Sequence, residues 1–94
     1  MASEKTLEKK LRQQVDKLGG KCLKWASPYY TGMPDRVILL PGGNIIFVEL
    51  KGARNKLTDL QSERMKMLKA LGFATAVVDG EQALDKLMEV IYAL

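Results

Sequence analysis

Two apolar runs, Val37-Ile38-Leu39-Leu40 and Ile45-Ile46-Phe47-Val48, flank Pro41-Gly42-Gly43 and leave little choice but an antiparallel β-hairpin. Neither run alternates with polar residues, so both read as central strands covered on both faces. Charges at the ends of such strands need an explanation. Asp35 precedes the first run, and Glu49 and Lys51 follow the second. An unpaired charge in that setting is costly, and a divalent cation is the simplest compensation for the two acids.

The register of the hairpin decides whether these residues meet. A three-residue turn, Pro41-Gly42-Gly43, sets Leu40 opposite Asn44, Val37 opposite Phe47 and Asp35 opposite Glu49. Opposed side chains share a face with their Cβ atoms about 4.5–5.5 Å apart. Two carboxylates so placed repel each other, and Mg²⁺ or Mn²⁺ reverses that sign by accepting an oxygen from each. Lys51, two residues beyond Glu49, falls on the same face, whereas Leu50 points away and offers its backbone carbonyl. A turn of two or four residues would instead set Asp35 across from Leu50 and scatter the group. The chemistry that the group suits is phosphodiester hydrolysis, with a carboxylate-held ion as Lewis acid and source of an activated water. Lys51 would orient the water or stabilise transition-state charge.

Composition narrows the alternatives. With 94 residues the chain is expected to be one domain with a modest core, spanning 1–94. Fifteen Lys and Arg against eleven Asp and Glu give a net charge of +4, which favours a polyanionic partner. The absence of histidine excludes imidazole bases, His-based triads and His-containing zinc sites. Cys22 is alone, so it forms no internal disulfide or thiolate metal site and is expected to be a small buried hydrophobe. No apolar run approaches the roughly 20 residues of a membrane span, and Met1-Ala2-Ser3-Glu4-Lys5 lacks a signal-peptide core. A cytoplasmic protein with no membrane partner is the expectation.

Leu7, Leu11, Val15 and Leu18 recur at helical spacing before Gly19-Gly20, so 3–18 is expected to be a helix. Lys21 to Ala26 reads as a strand, and 27–32 as a loop. The hairpin strands are expected over 35–40 and 44–51. A helix follows over 59–71, then a strand over 73–78 and a closing helix from Glu81 to Ala93. The order α-β-β-β-α-β-α predicts an α/β fold, a mixed sheet flanked by helices on both faces.

Pro34-Asp35 followed by Glu49-Leu50-Lys51 resembles the PD-(D/E)XK nuclease signature. Within it, Gly32-Met33-Pro34-Asp35-Arg36, Phe47-Val48-Glu49-Leu50-Lys51 and Leu57-Thr58-Asp59-Leu60-Gln61 resemble the virus-type replication-repair nuclease (VRR-NUC) domain in its compact phage and bacterial form. The resemblance runs from Glu8 to Val78 and implies a restriction-endonuclease-like core. It also implies metal-dependent DNA cleavage, with Asp35 and Glu49 as ligands and Lys51 as catalytic lysine. Stand-alone members are similar to homodimeric Holliday-junction resolvases, so branched DNA and a second copy of the chain are the partners implied. The family's acidic residue on the first helix falls on Glu8 or, one turn earlier, Glu4; the spacing to Gly19 favours Glu8.

Other positions carry two readings. Arg36, Arg54 and Lys56 lie beside the proposed site, and Lys24 joins them if the first strand neighbours the hairpin; each is a phosphate contact or a solvated charge. Gln61 closes a capping box with Thr58, and the resemblance adds a contact with the active site. The alternatives to a junction-selective enzyme are a nuclease of duplex, flap or single-stranded DNA, and a non-catalytic DNA-binding module on the same fold.

Overall fold

The computed structural model describes residues 3–52 and 55–94, with the elements in the expected order. Helix α1 (Glu4–Lys17) begins where the Ser3 hydroxyl accepts the Thr6 N–H at 3.1 Å. Its Leu7, Leu11 and Val15 are wholly buried, each contributing about 1.5–3 kcal/mol by leaving water. Strands β1 (Lys21–Lys24), β2 (Arg36–Leu39) and β3 (Ile45–Leu50) pair antiparallel in sequence order. After helix α2 (Asp59–Ala70), β4 (Ala74–Val78) joins β3 in parallel, and helix α3 (Glu81–Tyr92) closes the fold. The sheet order is β1-β2-β3-β4. Among the described residues no helix is long and apolar enough to cross a membrane.

The turn between β2 and β3 has the three-residue form. Val37 pairs with Phe47 and Leu39 with Ile45, and the Leu40 N–H donates to the Asn44 carbonyl at 2.9 Å. Pro41 leads the turn and Gly42 follows at φ 86°, a type II arrangement that a side chain at Gly42 would strain. One further step down this register sets Asp35 against Glu49.

Helices α1 and α3 cover one face of the sheet, where Cys22, Ile38, Ile46, Val48, Leu50 and Val78 meet Leu7, Leu11, Leu84 and Ile91 in a single core. Helix α2 packs on the other face against β4, with Met65 and Leu68 buried. Cover on that face is incomplete, contrary to what two unbroken apolar runs suggest. Leu39 and Ile45 are 40% and 39% exposed, beside Leu23 and Phe73 at 44% and 41%. One helix seated at the β4 edge does not reach across four strands, and an apolar run alone does not report which neighbours arrive.

Candidate active site

Pro34, buried and without an N–H, introduces β2, and the ladder between β2 and β3 stops at Arg36 opposite Val48. The Leu50 N–H is therefore left without a β2 carbonyl. The Asp35 carboxylate takes its place, accepting that N–H on Oδ1 at 3.1 Å and so anchoring itself to β3. In an extended strand the N–H and C=O of one residue project to the same side, so the Leu50 carbonyl also faces the Asp35 end of β2. The second Asp35 oxygen, Oδ2, lies 3.2 Å from Arg36 Nη1.

Glu49 stands next to Asp35 and is only 4% exposed. Burial, then the Asp35 charge and a hydrogen bond with the Asp35 carboxyl, push its pKa up to about 7, against a smaller opposing pull from Lys51. Two acids and a lysine thus share one face at the end of the two strands, as the hairpin register requires. Without a cation the pair is electrostatically frustrated.

The donor set fits a hard divalent ion. It consists of two carboxylates and a backbone oxygen, with no sulfur or imidazole. Among the described residues no group of three or more His, Cys, Asp or Glu side chains converges. That number of protein ligands suits Mg²⁺ or Mn²⁺, since Mg²⁺ keeps several waters and is commonly bound through one or two carboxylates plus substrate phosphates.

The two helix glutamates have different surroundings. Glu8, favoured by spacing, pairs with Arg12 at 3.3 Å, whereas Glu4 is the helix carboxylate whose charge raises the Glu49 pKa. The first turn of α1 rests on the end of β3, where a Cβ at Gly52 would lie 3.7 Å from the Glu4 nitrogen. Glu8 lies one turn further along the helix, away from the strand end.

The basic candidates separate. Arg36 is 9% exposed, and its guanidinium turns back to Asp35, with Nη1 also donating to the Asp35 carbonyl at 2.9 Å. It acts there as a counter-charge for the acid. Lys24 pairs with Arg36 across β1 and β2 and is exposed, and Lys56 is exposed in the segment before α2. Arg54 lies outside the described residues. Gln61 makes both bonds of the capping box: Thr58 N–H donates to Oε1 at 3.0 Å, and Gln61 N–H donates to Thr58 Oγ1 at 3.1 Å.

One residue escaped the sequence reading. Arg64 stacks on the Tyr30 ring at 3.9 Å, and its Nε donates to the Thr31 carbonyl at 2.9 Å, tying the loop before Asp35 to α2. Nothing local marks it, because Thr31 and Arg64 are neighbours only through the fold. Gly32 sits on the same seam at φ 90°, where a Cβ would come within 2.7 Å of Leu60 Cγ. Cys22 is buried, and desolvation pushes its thiol up to about 11, so it is an inert core residue.

A mixed four-stranded sheet between helices, with two acids and a lysine at one strand end, defines a nuclease domain of the PD-(D/E)XK type. The chain belongs to the VRR-NUC domain family, whose profile matches residues 1–82. It is 42% identical over 78 residues to "Putative nuclease p44" of Acyrthosiphon pisum secondary endosymbiont phage 1, a match covering 83% of this chain and 84% of that protein. A solved structure described as a VRR_NUC domain superposes with a TM-score of 0.84 at 29% identity, covering 94% of this chain and 97% of that one.

Proposed function

We propose that this chain is a divalent-metal-dependent endonuclease that hydrolyses phosphodiester bonds in branched DNA, of the Holliday-junction-resolving type, and that it works in the cytoplasm as a homodimer. The observation that carries the catalytic reading is the Asp35–Glu49 pair. Glu49 is buried beside Asp35 with its pKa raised to about 7, an arrangement that destabilises the metal-free chain and suits a cation site. Asp35, Glu49 and the Leu50 carbonyl would hold the ion. A bound divalent ion supplies Lewis-acid polarisation of a phosphate oxygen and a water that is nucleophilic near neutral pH. Lys51, on the same face, orients the attacking water and offsets negative charge gathering on the phosphate. Arg36 holds Asp35 in place from the opposite face, and the Leu50 N–H fixes the direction of its carboxylate.

The junction preference rests on the family resemblance and the basic charge. The second copy has a surface suited to it, the uncovered apolar patch of Leu23, Leu39, Ile45 and Phe73. The deciding assay incubates labelled four-way junction, flap, single strand and linear duplex with Mg²⁺, Mn²⁺ or EDTA, with Asp35→Asn and Lys51→Ala alongside. Metal-dependent cutting strongest on the junction, and lost in both variants, is the expected result. Equal cutting of all substrates would remove the junction preference. Tight binding without cutting would leave a DNA-binding module.

A further inference from the structure

We infer that the cleft between α1 and the β1–β2 edge is a phosphate-binding subsite, which holds a nucleic-acid phosphate next to the one being cut. This deepens the nuclease reading and rests on it for the identity of the polyanion. The cleft has a volume of about 330 Å³ and is lined by Glu4, Lys5, Glu8, Arg12, Lys24 and Arg36. Cations are in excess there, and among the described residues neither Lys5 nor Lys24 is in an ion pair.

The buried arginine is the independent sign of a ligand. Arg36 is 9% exposed, and among the described residues its polar contacts run through Nη1, which donates a hydrogen bond to the Asp35 carbonyl and forms an ion pair with the Asp35 carboxylate. Its Nε–H is buried and has no partner among the described residues. The idle Nε–Nη2 edge is the planar fork that matches two oxygens of one phosphate, and a buried donor without an acceptor is disfavoured until such a group arrives. Glu8 does not fill the role: its Oε1 pairs with Arg12, and among the described residues no ion pair joins it to Arg36. Location supplies the rest. Arg36 lines the cleft and contacts Asp35, so the cleft adjoins the Asp35–Glu49 pair, where a strand with its reacting phosphate against that pair would place a neighbouring phosphate. The subsite positions the strand without reading its bases.

The test measures binding of fluorescent oligonucleotides by the full chain in EDTA, so that neither metal nor cleavage enters. Lys24→Ala and Arg12→Ala are each expected to weaken binding several-fold and to flatten the slope of log K against log salt by about 0.7–0.9. Lys86→Ala, a cation on α3 outside the cleft, serves as the control for general charge. A series of oligonucleotides carrying one neutral methylphosphonate each should contain a position that weakens the wild type several-fold and leaves Lys24→Ala unaffected. A set with and without a 5′ phosphate separates an internal diester from a terminal phosphate as the occupant. Thermal melts confirm that the variants are folded. If Lys24→Ala and Arg12→Ala match Lys86→Ala, or if neither a methylphosphonate nor the terminal phosphate is non-additive with Lys24→Ala, the subsite is refuted. Non-additivity in a protein that cuts no DNA with Mg²⁺ or Mn²⁺ would keep the subsite and overturn the hydrolase reading instead.

Discussion

Replacing Glu49 by Gln should stabilise the metal-free protein while abolishing its activity, and the size of the gain follows from the site. The carboxyl has a pKa of about 7 in the folded chain against an ordinary value of 4.5. At about 1.4 kcal/mol per pH unit, that difference corresponds to roughly 3 kcal/mol. The sign follows from proton binding. Between pH 4.5 and 7 the folded state binds more protons at Glu49 than the unfolded state, so this residue lowers stability as pH rises across that interval. The destabilisation is fully present above pH 7 and gone below 4.5. Gln keeps the shape and removes the ionisation. In urea titrations with EDTA, Glu49→Gln should therefore exceed the wild type by up to roughly 3 kcal/mol at pH 8 and match it near pH 4.5. Millimolar Mg²⁺ or Mn²⁺ should narrow the gap at pH 8 by stabilising the wild type alone. A variant no more stable than wild type at pH 8, or one whose advantage is the same at both pH values, would refute the account of Glu49 as a buried acid held against a second acid.

Asp35→Asn retains an oxygen to accept the Leu50 N–H, so it should fold normally yet lose at least about 100-fold in metal-dependent cleavage rate; wild-type rates would remove Asp35 from the site. Gly32→Ala meets both a φ of 90° and Leu60 Cγ at 2.7 Å, and should cost about 1–3 kcal/mol in urea melts, with slower cleavage because the same loop carries Asp35. Gln61→Ala breaks one arm of the capping box and should cost roughly 0.5–1 kcal/mol; a far larger fall in cleavage rate, measured on the same sample, would show that Gln61 also serves the reaction. Cys22 should resist thiol reagents in the native state at pH 8 and react only on unfolding, because it is 6% exposed with a pKa of about 11.

Much of this molecule could be read from local pattern. The i, i+4, i+8 leucine and valine stripe of α1, the glycine-rich turn and the Thr58–Gln61 capping box each depend on residues a few positions apart, and short-range sterics and hydrogen bonding settle them. The hairpin register belongs to the same class. Turn length and the two-residue period of a strand set Asp35 opposite Glu49, with Lys51 two residues beyond on the same face, so this placement was legible before any tertiary contact was known.

Tertiary packing decided what no local rule can see. Which glutamate of α1 approaches Glu49 depends on how the helix lies across the end of β3, a matter of docking rather than spacing. Arg36 is adjacent to Asp35 in sequence, yet alternation sends it to the opposite face, where α1 buries it with no partner for its Nε among the described residues. The hold of Arg64 on the Tyr30–Thr31 loop and the partly bare outer face of β2 and β3 likewise arise from where α2 settles. Local chemistry determines which acids and lysine share a strand end. The long-range packing of helices on the sheet determines which charges are buried, which are compensated and which stay open to a phosphate.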